Sequence, residues 1–292
     1  MVSKTKDLLD IFIAQETKDI PKQIEQFEKI TDTLFKLTQS LFDNKVKIAY
    51  YQSELEGKLF RHGLANQSII TLLKGNKFKL INNDSSIIDI FSLNSITRMQ
   101  IESYLIIFYL IFDKIPTTEK NFRYDIYKIH ALRKQLTMQI GELPEKKSYL
   151  SKIKTELNQS ITNIEKSSIF KNANPKLKEK YLNPGFAKLI KSKIIFETSG
   201  LNDSRLNQMW ELYSNYAHCE HISDRQYNTI YRIEKTTINN SSLSLMINSI
   251  LTSKIILDFC EEFSVVEKKY SEIDLSIRNY IEYWGKIDLK HS

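Results

Sequence analysis

The chain has 292 residues, with 42 lysines and arginines against 35 aspartates and glutamates, a net charge of +7. Apolar residues make up 41% and charged residues 26%, the balance of a globular protein rather than a disordered tail. Only 7 glycines and 5 prolines punctuate it, too few for many short strands joined by hairpins. Few breakers mean few, long elements, and the expectation is one helical domain over residues 1–292. A chain of this length can bury roughly 75% of the surface its unfolded form exposes.

Leu8 to Ala14 carries a short helical signal. Pro21 then opens a helix through Phe42, with Ile24, Phe27, Ile30, Leu34 and Leu37 recurring at three- and four-residue steps. A second helix is expected from about Lys45 to Leu73, ending at Lys74-Gly75-Asn76. Phe78 to Asn83 is the one stretch that reads as strand or loop. Asp84-Ser85-Ser86 resembles an N-cap for a helix reaching Asp113. Its second half, Tyr104 to Phe112, is apolar on every side, which predicts a central helix. That run is also too short to span a bilayer.

After Pro116-Thr117-Thr118 a helix is expected as far as Ile140, stopped by Gly141. Pro144 starts another to about Lys166, largely polar and therefore superficial. Phe170 to Ile195, with Pro175, Pro184 and Gly185, reads as short helical pieces in a long connection. Gly200-Leu201-Asn202-Asp203 caps a helix to His218. A loop follows near Ser223, and Ser241 to Tyr283 reads as one or two long helices, with Leu243, Ile247, Ile250, Leu251 and Leu257 facing inward. The sum is an all-α multi-helix bundle: N-terminal helices in 1–83, a core in 84–225, and C-terminal helices in 240–286.

Two cysteines, Cys219 and Cys260, make neither a disulfide framework nor a metal-finger spacing, and read as buried or half-buried thiols in a reducing compartment. Lys4, Lys6, Asp7 and Asp10 interrupt the N-terminal stretch that a secretory signal would need. A cytoplasmic protein with no membrane partner is expected. No dinucleotide, nucleoside-triphosphate or nucleophile-elbow motif occurs, and no Glu-x-x-His or His-Glu-x-x-His pair supports a metal centre, so no cofactor or metal is expected.

Three constellations carry chemistry. Arg98 and Glu102 lie one turn apart where a helix turns wholly apolar, so the carboxylate needs a partner, most simply from another helix. Ser214 and His218 lie one turn apart and offer a hydroxyl and a titratable imidazole. Lys171, Lys176, Lys178, Lys180, Lys188, Lys191 and Lys193 are offset only by Glu179, a basic run able to attract nucleic acid. The plainer readings are a buried polar network that sets helix register and a solvated lysine face.

The segments Arg98-Met99-Gln100-Ile101-Glu102, Phe122-Arg123-Tyr124-Asp125-Ile126-Tyr127 and Tyr213-Ser214-Asn215-Tyr216-Ala217-His218, over roughly Ile87 to Asp224, resemble a large bacterial family of helical proteins. That family carries Arg-x-x-x-Glu, Phe-Arg-x-x-x-Tyr and Tyr-Ser-x-Tyr-x-His motifs in this order. It is itself similar to the HEPN superfamily, many of whose members are metal-independent ribonucleases in toxin–antitoxin, CRISPR-linked or abortive-infection systems. The resemblance implies an HEPN-like core, action on or sensing of RNA in phage defence or a toxin system, a homodimer, and a protein partner in such a system. It also implies site roles: His218 moving protons, Arg98 steadying phosphate charge, Glu102 orienting, Ser214 beside them. Lys176, Lys178, Lys180, Lys188, Lys191 and Lys193 would hold the RNA backbone. HEPN ribonucleases carry an Arg-x(4–6)-His motif, and the one match here is Arg123 to His130, the weaker alternative site. The competing expectation is a non-catalytic helical interaction or scaffold module with a buried polar network.

Overall fold

The structure is a computed structural model that describes residues 2–80, 83–138, 146–201, 204–218 and 220–287. Among them the chain forms fourteen α-helices and one antiparallel hairpin, an all-α multi-helix bundle. Helix α1 (Val2–Glu16) is longer than its short apolar signal predicts. Next comes α2 (Ile20–Asp43), whose N-cap Asp19 accepts a hydrogen bond from the Lys22 amide, with Pro21 in the first turn. Its stripe Phe27, Ile30, Leu34 and Leu37 is fully buried.

The helix expected from Lys45 begins later. A 3₁₀ turn at Tyr50–Gln52 precedes α3 (Leu55–Leu73), and Gly75 follows with φ 77°, the left-handed geometry that ends helices. Strands β1 (Asn76–Leu80) and β2 (Asn83–Ile87) pair from Asn76 with Ile87 to Leu80 with Asn83. The segment Asp84-Ser85-Ser86 is therefore strand rather than cap. Asp89, five residues on, caps α4 (Ile90–Ile107), because its carboxylate accepts from both the amide and the hydroxyl of Ser92. A π-helical turn, Phe108–Phe112, follows α4.

Further along lie α5 (Thr117–Thr137), α6 (Lys146–Lys166), α7 (Ser168–Lys171), α8 (Pro175–Leu182) and α9 (Ser192–Thr198). Then come α10 (Ser204–Ala217), α11 (His221–Arg232), α12 (Glu234–Glu262), α13 (Ser264–Ser271) and α14 (Leu275–Lys286). The stop at Gly141, the start at Pro144, and the capping residues Asn202 and Asp203 lie outside the described residues. Where a loop is expected near Ser223, α11 instead begins, with Ser223 in its first turn and buried.

The chain divides into two compact units: unit 1 is 1–47, 54–108 and 196–292, and unit 2 is 48–53 and 109–195. Within unit 1, α12 packs against α2, α4, α11, α13 and α14 and is buried on most of its circumference. One apolar cluster joins Phe27, Ile69, Ile70, Leu93, Ile230 and Leu245. Helix α12 is also the one helix among the described residues long and apolar enough to cross a membrane, and 72% of that stretch is buried within the protein. Within unit 2, α5 lies along α6, with Phe122, Ile126, Ile129, Ile153, Leu157 and Ile164 between them.

Candidate functional site

In unit 1, α4 and α10 pack side by side, and two contacts set them antiparallel. Trp210 Nε1 donates to Glu102 Oε1 at 3.1 Å, and the Phe91 ring meets Tyr216 edge to face at 5.2 Å. The carboxylate at the edge of the apolar run thus finds its partner on another helix. Phe91, Arg98 and Glu102 recur at the seven- and four-residue steps that keep one helix face, so Arg98 sits on the stripe that meets α10. Arg98 is half-buried; its Nε is sealed from solvent with no hydrogen-bond partner among the described residues.

Ser214, one turn from Trp210, is half-buried. His218 falls just past the end of α10 and is exposed. It lies eight residues, about 12 Å along the axis, beyond Trp210. Arg98 and Glu102 therefore share the α4–α10 seam, Ser214 lies one turn from the Trp210 that meets Glu102, and His218 is exposed just past the end of α10.

The motif tyrosines are core residues. Tyr213 is fully buried beside Ser244, and burial pushes its hydroxyl well above the usual range. Tyr216 donates to Gln226 Oε1 on α11. Tyr216 thereby ties α10 to α11.

Below this seam runs a polar layer that the motifs do not announce. Gln100 Nε2 donates to Asn66 Oδ1 (2.5 Å) and to the His62 carbonyl (2.9 Å). Asn66 Nδ2 in turn donates to Thr252 Oγ1 (3.0 Å) and Thr31 Oγ1 (3.2 Å), and His62 Nε2 lies 3.2 Å from Thr252 Oγ1. Asn248 Nδ2 donates to Thr97 Oγ1, and Ser244 Oγ to Asn94 Oδ1, both at 3.0 Å. All nine of these side chains are at most 1% exposed. Four helices, α2, α3, α4 and α12, are stitched at a fixed register, because a slip by one residue would strand several buried donors at once.

His62 sits at the centre of this layer with Nδ1 sealed and unpartnered among the described residues. An imidazolium needs acceptors at both nitrogens, so burial pushes its pKa from 6.5 down to about 3.

In unit 2 the Phe-Arg motif is an anchor. Arg123 pairs with Asp113 (2.6 Å) and Glu119 (2.8 Å), donates to the Tyr109 carbonyl (3.1 Å) and lies 4.5 Å over the Tyr109 ring. Lys120 Nζ donates to the Ile111 carbonyl (2.5 Å). The two cations take up carbonyls that the π turn leaves outside regular helical bonding. His130 is half-buried, and burial first, then Lys134, lowers its pKa. Asp125 accepts from Tyr50 Oη (2.7 Å) and Asn163 Nδ2 (3.3 Å), and burial raises its carboxyl pKa.

The charge of the molecule is divided unevenly. Unit 2 holds 18 of the lysines and arginines and 8 of the aspartates and glutamates, a net of +10. Unit 1 therefore carries −3 of the chain's +7. Lys176, Lys180, Lys191 and Lys193 are exposed. Lys178 is half-buried with its ammonium 5.5 Å from the Phe170 ring, and Lys188 donates to Ser192 Oγ at 2.9 Å. Between these lysines in sequence stands Phe186, 78% exposed.

Cys260 is half-buried, and burial pushes its thiol up to about 12; Cys219 lies outside the described residues. Among the described residues no three histidine, cysteine, aspartate or glutamate side chains gather as a metal site would need. Set against family models, curated proteins and solved structures, the chain matches none.

Proposed function

We propose that the chain engages RNA through unit 2 and senses it rather than cleaving it. The observation that carries this reading is the division of charge: unit 2 at +10 and unit 1 at −3. Excess charge confined to one unit attracts a polyanion, and four exposed lysines can each take the place of counterions on phosphate. The exposed Phe186 ring offers a face on which an unpaired base can stack, which favours single strands over duplex. The resemblance to the HEPN superfamily supports RNA as the polyanion. A homodimer in the cytoplasm and a phage-defence or toxin–antitoxin partner belong to the same proposal and rest on that resemblance.

Three observations favour sensing. Glu102 is held by Trp210, the Arg98 Nε is sealed, and Arg123 spends its guanidinium on Asp113, Glu119 and a carbonyl. A second reading, metal-independent cleavage with His218 as the proton carrier and Arg98 on the phosphate, keeps two observations in its favour. Arg98 makes no ion pair among the described residues, and His218 is open to solvent.

The test is incubation of end-labelled single-stranded RNA with the purified protein and with its His218→Ala variant, in chelator, followed by gel analysis. The proposal expects a retarded, intact RNA with both proteins. Cleavage by the unaltered chain that His218→Ala abolishes would replace sensing with the nuclease reading, and no retardation with either would sink the RNA proposal.

A further inference from the structure

Unit 1 contains a concave pocket of about 390 Å³ that no part of the RNA proposal uses. Its walls are Phe12 of α1, Met209 of α10, Leu243, Met246 and Ile250 of α12, and Trp284 of α14. Small-molecule sites enclose roughly 300–1,000 Å³ and combine apolar walls with a few polar groups, and this pocket has both properties. The walls are not sealed against each other: Leu243, Met246 and Met209 are half-exposed and Phe12 is 57% exposed. The polar lining comes mostly from Gln15 and Glu16 at the C-terminal end of α1 and Lys18 just beyond it, with Tyr283 of α14 added. Glu16 and Lys18 are both exposed and of opposite sign, so neither an anionic nor a cationic head group is favoured there. The Gln15 amide can donate and accept.

We propose that this pocket binds a small neutral amphiphile: an unbranched apolar chain that ends in a hydroxyl or amide group beside Gln15. The chain replaces water against the walls, and the charge-balanced rim selects the uncharged head.

The test is calorimetric titration of the full chain with straight-chain alcohols from hexanol to decanol, then with decanoate and decylamine. Affinity is expected to rise about fourfold for each added methylene, the ratio that methylene burial implies. Decanol is expected to bind about tenfold more tightly than either charged analogue. Leu243→Trp and Met246→Trp each place an indole in the opening and are expected to weaken decanol at least about tenfold without shifting the melting temperature. Affinity independent of chain length would overturn the proposal, as would tighter binding of decanoate or decylamine. So would a dimer, seen by sedimentation, that Leu243→Trp dissociates and decanol does not, since the pocket would then be a contact between copies. The alcohol series uses the unaltered protein and decides the matter even where a tryptophan variant fails to fold.

Discussion

Acidification should destabilise this protein through His62 before its carboxylates contribute much. The group is fully buried, and its pKa falls from 6.5 to about 3 because burial excludes the charged form. The unfolded chain therefore binds a proton below about pH 6.5 that the folded chain refuses down to about pH 3. The unfolded state binds more protons in that window, so stability falls as pH falls. Each pH unit below the unfolded value costs up to about 1.4 kcal/mol, which makes about 2.7 kcal/mol between pH 7.5 and 4.5. The perturbation that isolates it is His62→Gln, whose amide can still reach Thr252 but does not titrate. Urea unfolding of both proteins from pH 7.5 to 4.5 cancels the carboxylates and His130, which they share. The stability difference between them should move by about 2.7 kcal/mol in favour of the variant as pH falls. Parallel curves, constant to about 0.5 kcal/mol, would refute the claim that a neutral imidazole is locked into the polar layer.

Two further outcomes follow from backbone geometry. Lys45 ends α2 at φ 48°, with the Val46 amide bonded to the Leu41 carbonyl and the Lys45 amide to that of Phe42. This is a helix-ending turn that favours glycine, so Lys45→Gly should raise stability by up to about 1 kcal/mol in urea. Loss of stability would contradict the left-handed assignment. At Gly285 an added Cβ would stand 2.5 Å from Leu257 Cδ1 and 3.2 Å from the Ser253 carbonyl. Leu257 can turn aside but the carbonyl cannot, so Gly285→Ala should cost about 1 kcal/mol or more despite alanine's better helix propensity. A more stable variant would mean that α12 and α14 approach less closely.

The helical class was legible because its signals are local. The stripe of α2, with Asp19 and Pro21 before it, and the apolar run after Ser103 need only neighbouring residues to be read. So does the strand-like stretch near Phe78. Helix α11 was missed because Ser223 and Asp224 are turn residues by habit, and its apolar positions, Ile222, Ile230 and two tyrosines, are sparse. The partner of Glu102 could be demanded from desolvation cost but not named, since Trp210 lies 108 residues away.

The polar layer leaves only a local trace in the sequence. Ser241, Ser244, Asn248 and Thr252 recur at three- and four-residue steps on α12, and all are buried. What turns a polar stripe inward is its partners, Thr31, Asn66, Asn94, Thr97 and Gln100, drawn from three distant helices. No spacing within α12 reports them. The two-unit division was likewise hidden, because unit 2 borrows residues 48–53 from far upstream and its charge excess emerges only once that boundary is drawn.

The central claim is that unit 2 grips RNA by charge, and its most direct test is the salt dependence of RNA binding. Fluorescence anisotropy of a short, unstructured, labelled single strand would be followed from about 50 to 300 mM salt, a range over which counterion release is read directly. The unaltered chain would be compared with Lys176→Glu, Lys180→Glu, Lys191→Glu and Lys193→Glu combined. Four lysines on phosphate predict that log K falls with log salt at a slope of about −3, and that the combined variant loses both the affinity and most of the slope. Binding that ignores salt, or a variant that binds as tightly as the parent, would contradict it.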